Sequence, residues 1–115
     1  MTGWQRLAAA MPEDRGPSSL DAHVRKLIKD LSLWGHHAHD SRRSTPGLPD
    51  WMIVGRRILY RELKAERGTV TAAQRMVGAL ITEAGGDWAV WRPSCLLSGR
   101  IAKELAAISR LGGDQ

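Results

Sequence analysis

PGLPDWMIVGRRILYRELK, residues Pro46–Lys64, is the stretch whose reading decides the fold. Trp51–Val54 and Ile58–Lys64 are apolar, β-branched runs separated by Gly55-Arg56-Arg57, which predicts a β-hairpin. Side chains alternate along a strand, so Tyr60, Glu62 and Lys64 share one face, and Asp50, Met52 and Val54 share a face of the first strand. With a three-residue connection, Val54 lies opposite Ile58 and Met52 opposite Tyr60. Asp50 then faces Glu62 at the ~4.5–5.5 Å of cross-strand Cβ pairs, where like charges destabilise unless a cation sits between them. A two-residue Gly55-Arg56 turn instead pairs Asp50 with Arg61 and gives an exposed hairpin with an ordinary ion pair. Pattern alone does not settle the register. The second register leaves no role for Lys64 beside Glu62 or for Pro49 ahead of Asp50.

Upstream, Leu20, Val24, Leu27, Ile28, Leu31 and Trp34 recur at helical spacing. They predict a helix that starts at Ser18 or Ser19 and closes on a left-handed Gly35. His36–Asp40 (HHAHD) reads as a short strand or a turn. Three histidines spaced by one and two residues make a poor zinc cage, and no cysteine or fourth histidine nearby completes one. SRRSTPG follows as an exposed loop that carries Arg42 and Arg43 just before Pro49-Asp50. Met1–Pro17 reads as an N-terminal extension: Trp4–Met11 has the makings of a helical turn or two, and MPEDRGPSS has linker chemistry.

Downstream, Thr71 and Gln74 have capping-box spacing and open a second helix. Its apolar face is Ala73, Met76, Val77, Leu80, Ile81 and Ala84, and Gly85-Gly86 ends it. Asp87–Arg92 alternates as a strand. Pro93-Ser94 opens a third helix bearing Leu97, Ile101, Leu105 and Ile108, closed by Gly112-Gly113. The order α-β-β-β-α-β-α predicts an α/β sandwich with a small mixed sheet, and its strand–helix–strand unit predicts a parallel, right-handed crossover. Residues 18–115 form the single domain that 115 residues allow.

The net charge of +5 favours an anionic partner, and its basic residues are interleaved with ordered segments rather than gathered in a tail. Cys95 is the only cysteine, which rules out an internal disulfide and a four-cysteine zinc site and fits a reducing compartment. No apolar run approaches the ~20 residues of a membrane span, and LAAAM is too short for a signal sequence. The expectation is a cytoplasmic protein with no membrane association.

Two carboxylates and a lysine on one hairpin suit phosphodiester chemistry. Hard oxygens from Asp50 and Glu62 match Mg²⁺ or Mn²⁺, with waters and a phosphate completing the shell. Lys64 would position or help deprotonate the attacking water, or stabilise the transition state.

PGLPD, then ELK, then T-x-x-Q resembles the PD-(D/E)XK nuclease superfamily, and more narrowly its virus-type replication–repair nuclease (VRR-NUC) branch, in stand-alone form. The resemblance runs from about Leu20 to the last helix and implies a restriction-endonuclease-like sandwich. It implies Asp50 and Glu62 as metal ligands, the Leu63 backbone carbonyl as a further ligand, Lys64 as the catalytic lysine and Gln74 beside the site. Gln74 also reads simply as the capping partner of Thr71. Many members carry a glutamate on the first helix; this helix has none, so Asp21 or His23 is the available stand-in, and Asp21 also fits a capping box with Ser18. The activity implied is Mg²⁺- or Mn²⁺-dependent cleavage of DNA, on branched or junction intermediates, by a homodimer. Trp88, Trp91 or the Trp4 segment would supply the dimer surface, and Arg42, Arg43 and Arg67 would contact DNA. The competing class is a non-catalytic DNA-binding module that keeps the fold.

Overall fold

In the computed structural model, which describes residues 1–38 and 45–111, the chain runs α1 (Gly3–Ala10), α2 (Leu20–Asp30), β1 (Trp34–His37), β2 (Trp51–Val54), β3 (Ile58–Leu63), α3 (Ala72–Glu83), β4 (Asp87–Trp91), α4 (Pro93–Leu97) and α5 (Arg100–Ile108). The strands form one mixed sheet in the order β1-β2-β3-β4. The first three are antiparallel neighbours, and β4 returns through α3 to pair parallel with β3. The expected α/β architecture is therefore present, with an added helix at the start and the last helix broken in two at Gly99.

The hairpin takes the three-residue connection. Val54 pairs with Ile58 and Met52 with Tyr60, so the same register carried two residues further sets Asp50 across from Glu62. The ladder assigns each face of the sheet. Trp51, Ile53, Leu59, Leu63 and Trp91 point to one side, where they pack with Leu20, Val24 and Ile28 of α2 and Ile101, Leu105 and Ile108 of α5. That layer is the core, and each of its large side chains contributes about 1.5–3 kcal/mol through burial. Trp91 is fully enclosed there, which removes it as a dimer surface.

Arg61 alternates onto the same side and is only 3% exposed. It survives there because every direction of its guanidinium is answered. It donates to the Tyr60 and Asp87 carbonyls at 3.1 and 2.8 Å and to Glu104 at 2.9 Å, and it lies over the Trp91 ring. Glu104 in turn accepts from Trp91 Nε1 at 3.0 Å and Arg100 at 2.6 Å. These bonds tie α5 to β3 and β4.

The opposite side of the sheet holds α3. Gly78 lies so close to the Trp88 ring of β4 that a Cβ there would overlap it. Thr71 and Gln74 form the expected capping box, and Gly85 follows the helix with φ 93°. Only part of the expected stripe is used. Val77 and Ile81 are half-buried, whereas Met76 and Leu80 stay 58% and 59% exposed, because α3 rests on β4 over its Gly78 flank.

The end of α2 departs from expectation. The helix stops at Asp30, Ser32 takes the positive φ of 52°, and Trp34 and Gly35 belong to β1. Gly35 is needed for space and not for helix termination: a Cβ there would come within 2.9 Å of the Trp51 ring and 3.3 Å of Ile28. Trp34, read as part of the buried stripe, is exposed.

Residues before α2 are bound into the structure. α1 begins with a Thr2–Gln5 capping box, buries Ala8, and packs against α4. Past it, the Pro12 and Glu13 carbonyls accept from the Leu20 and Asp21 N–H groups, each at 2.9 Å. These are first-turn donors that a helix cannot satisfy itself. The chain therefore folds back over the start of α2. The expected Ser18–Asp21 box does not form; Ser19 caps the helix by accepting from Ala22 N–H at 3.1 Å.

Candidate functional site

Asp50 sits just ahead of β2, held by two bonds of different kinds. Its carbonyl accepts from Ala38 N–H at 3.0 Å, and its side-chain Oδ2 accepts from Leu63 N–H at 2.7 Å. Upstream, Gly47 turns with φ 87° and lies against the Ala73 carbonyl of α3, too close for any side chain. The loop is thereby pressed against the start of α3, and Pro49-Asp50 is delivered to the start of β2, an interior strand.

Glu62 is fixed by β3. Leu63 points into the core, so Glu62 and Lys64 point to the other side, into a cleft of about 270 Å³ that Asp50 shares. Glu62 lies at its floor, 1% exposed, and its Oε2 has no hydrogen-bond partner. Burial first, and then the facing Asp50, push its carboxyl up to about 9. Two carboxyls this close cannot both ionise without a cation. Lys64 N–H is anchored to the Trp91 carbonyl at 3.1 Å, which aligns its side chain with the same cleft.

The donor set fits a hard divalent cation. Two facing carboxylates, one with an unused buried oxygen, sit beside the Leu63 backbone and a lysine. Among the described residues no group of three or more His, Cys, Asp or Glu side chains is close enough to hold an ion alone. Water and substrate phosphate would supply the remaining positions, as Mg²⁺ prefers.

Asp21 reaches the cleft wall but is already committed. Its Oδ1 accepts from Trp51 Nε1 at 2.9 Å and lies 3.0 Å from His37 Nε2, and its Oδ2 takes Arg25 at 3.2 Å. Burial alone would raise its pKa, but the bonds from His37, Trp51 and Arg25 outweigh it and hold the carboxyl at about 2. Asp21 thus braces α2 against β1 and β2, with neither oxygen spare for a metal. His23 is turned back to the Ser19 carbonyl at 2.8 Å and does not line the cleft. His36 and His37 alternate to opposite sides of β1; His36 stacks with Trp34, and His37 meets Asp21.

The acid that does enter the cleft is Glu13, from the segment read as an extension. Its carboxyl is raised first by burial and next by the charge of Asp50, with Lys64 and a hydrogen bond from the Ala65 backbone pulling the other way. The backbone bonds of Pro12 and Glu13 to α2 put it there. The usable sequence signal was weak: MPED stands shortly before a helix start whose donors need acceptors, but nothing local points Glu13 at Asp50.

Gln74 takes both of its expected positions. Its Oε1 accepts from Thr71 N–H at 2.9 Å, and its side chain lines the cleft. Arg67 is exposed on the turn after β3, away from the cleft and beside α1. Arg42 and Arg43, with His39 and Asp40, lie outside the described residues. No helix among the described residues is long and apolar enough to cross a membrane. No protein-family profile, curated protein or solved structure matches the chain.

Proposed function

We propose that this chain is a Mg²⁺- or Mn²⁺-dependent DNA endonuclease of the VRR-NUC type within the PD-(D/E)XK superfamily. It cuts branched or junction DNA as a cytoplasmic homodimer. The observation that carries the reading is Asp50 facing a buried Glu62 whose Oε2 is unpartnered, with Lys64 next on the same strand face. An uncompensated acid pair at a cleft floor costs stability, and a site for a cation accounts for it.

Asp50 and Glu62 would hold the cation, with the Leu63 carbonyl as the adjoining backbone oxygen. When bound, a divalent ion there would supply neutralisation of the charge on the scissile phosphate. Lys64 orients the attacking water, which adds to phosphorus and loses a proton to solvent as the bond to the leaving sugar oxygen breaks and that oxygen takes up a proton from solvent; the Lys64 ammonium offsets charge on the phosphate. Glu13 approaches the same space from the far wall. Gln74 keeps the start of α3 beside the cleft. The net charge of +5 supports an anionic substrate, and the exposed Met76 and Leu80 of α3 support self-association.

The test is cleavage of a four-way junction, a flap and a linear duplex with Mg²⁺ or Mn²⁺ by the parent protein and Asp50→Asn. The parent cuts, preferring a branched substrate, and the variant loses on the order of 100-fold or more. Paired symmetric incisions on the junction distinguish a resolving dimer from a nicking or flap enzyme. A parent that cuts none of the three, or a variant that cuts equally well, leaves only a DNA-binding module.

A further inference from the structure

After Lys64 the chain leaves the cleft, and its next turn and α1 enclose a separate hollow of about 440 Å³ lined by Trp4, Gln5, Glu66 and Arg67. The Trp4 indole is 53% exposed and also borders a second hollow with Ser94, Leu97 and Ser98, so it stands as a ridge and not as a core residue. The turn facing it is rigidly held. Arg92 Nη1 donates to the carbonyls of Ala65, Glu66 and Gly68 at 2.8, 3.1 and 2.8 Å. Glu66 accepts from Ser94 N–H at 2.9 Å, which engages the acid of the hollow and leaves Arg67 presented outward. This turn begins directly after Lys64.

We propose that this hollow takes an unpaired nucleobase of the strand that enters the cleft, stacked on Trp4 with its phosphate against Arg67. An exposed aromatic ring beside an outward guanidinium on a fixed turn is the pairing that holds single-stranded nucleic acid, because every base has a π-face and every nucleotide a negative charge. A fully paired duplex cannot offer a base, so the hollow selects substrates with an unpaired arm next to the scissile bond. The inference rests on the nuclease reading for the path of the strand.

The test measures binding without divalent ions of a splayed duplex and of a blunt duplex of equal length, by fluorescence anisotropy. Trp4→Leu weakens the splayed duplex by about 10-fold and leaves the blunt one unchanged. Trp4→Phe, which keeps a stacking ring, retains the preference. Arg67→Gln weakens binding and lowers the salt slope by about one. Equal binding by parent and Trp4→Leu, equal losses on both duplexes, or a parent that binds neither overturns the proposal. A parent that prefers the splayed duplex through Trp4 but cuts nothing with Mg²⁺ keeps the stacking site and removes the nuclease reading. Asp50-dependent cutting with unaltered Trp4→Leu binding does the reverse.

Discussion

The Oδ2 of Asp50 accepts the Leu63 N–H at 2.7 Å, so the first acid of the hairpin is bonded into the backbone between the second acid and the lysine. This one bond sets the spacing of Asp50, Glu62 and Lys64, and it links the loop ahead of β2 to the end of β3.

Glu62→Gln separates stability from activity. The variant keeps its fold and melts at or above the parent's temperature without metal, because a buried acid facing Asp50 is replaced by a neutral isostere. Mg²⁺ raises the melting temperature of the parent, by the equivalent of about 2.7 kcal/mol at a hundredfold excess over Kd, and leaves the variant unmoved. Equal Mg²⁺ shifts in the two proteins would show that Glu62 is not a ligand.

Its neighbour Arg61 gives the opposite result. Arg61→Met takes one buried donor from Glu104, which keeps Trp91 and Arg100, and leaves the Tyr60 and Asp87 carbonyls without theirs, at a cost of about 2–3 kcal/mol by urea unfolding. This is below the ~3–5 of a fully enclosed pair, because Glu104 and Asp87 keep contact with water. Cleavage per folded molecule is unchanged, since Arg61 and Glu62 face opposite sides of β3.

Glu13→Gln lowers cleavage by about 10-fold or more while the melting temperature stays within a degree or so of the parent, since the carbonyls of Pro12 and Glu13 that hold α2 are untouched. Removal of residues 1–13 lowers both. Cleavage by Glu13→Gln at the parental rate would reduce Glu13 to a bystander on the cleft wall.

Asp21 controls acid stability. Its folded pKa of about 2 lies below the ordinary 3.8, so its stabilisation is fully present above pH ~4 and disappears as pH falls through 2. The difference amounts to about 2 kcal/mol. Asp21→Asn is accordingly less stable than the parent at pH 6, and the gap closes as both are unfolded toward pH 2. A gap that persists at pH 2 would mean that the carboxylate charge is not what braces α2.

The local signals in the chain were enough for the hairpin and the start of α3, but not for the end of α2 or the break between α4 and α5. Alternation in Trp51–Val54 and Ile58–Leu63 is a period-2 pattern that needs no partner to be read, and Thr71 with Gln74 states a helix start within four residues. The pairing of Asp50 with Glu62 was open on pattern, because two turn lengths satisfy the same alternation; the ladder of Val54 with Ile58 decides it. Gly35 has the sequence context of a helix terminator, yet its role comes from the Trp51 ring that lies across it, a contact between residues distant in the chain.

The same distinction divides the site. Sequence by itself placed Glu62 and Lys64 on one face of β3 and Asp50 just ahead of β2, since strand alternation needs no partner; the ladder of β2 with β3 is what sets Asp50 across from Glu62. It did not direct Glu13 to the cleft, since that position depends on donors at the start of α2, and it offered Asp21 as a metal ligand or a cap, whereas its oxygens are claimed by Trp51, His37 and Arg25. Which acids share a cleft is decided by which backbone and side-chain groups lack partners after the elements form, and only the packed chain determines that.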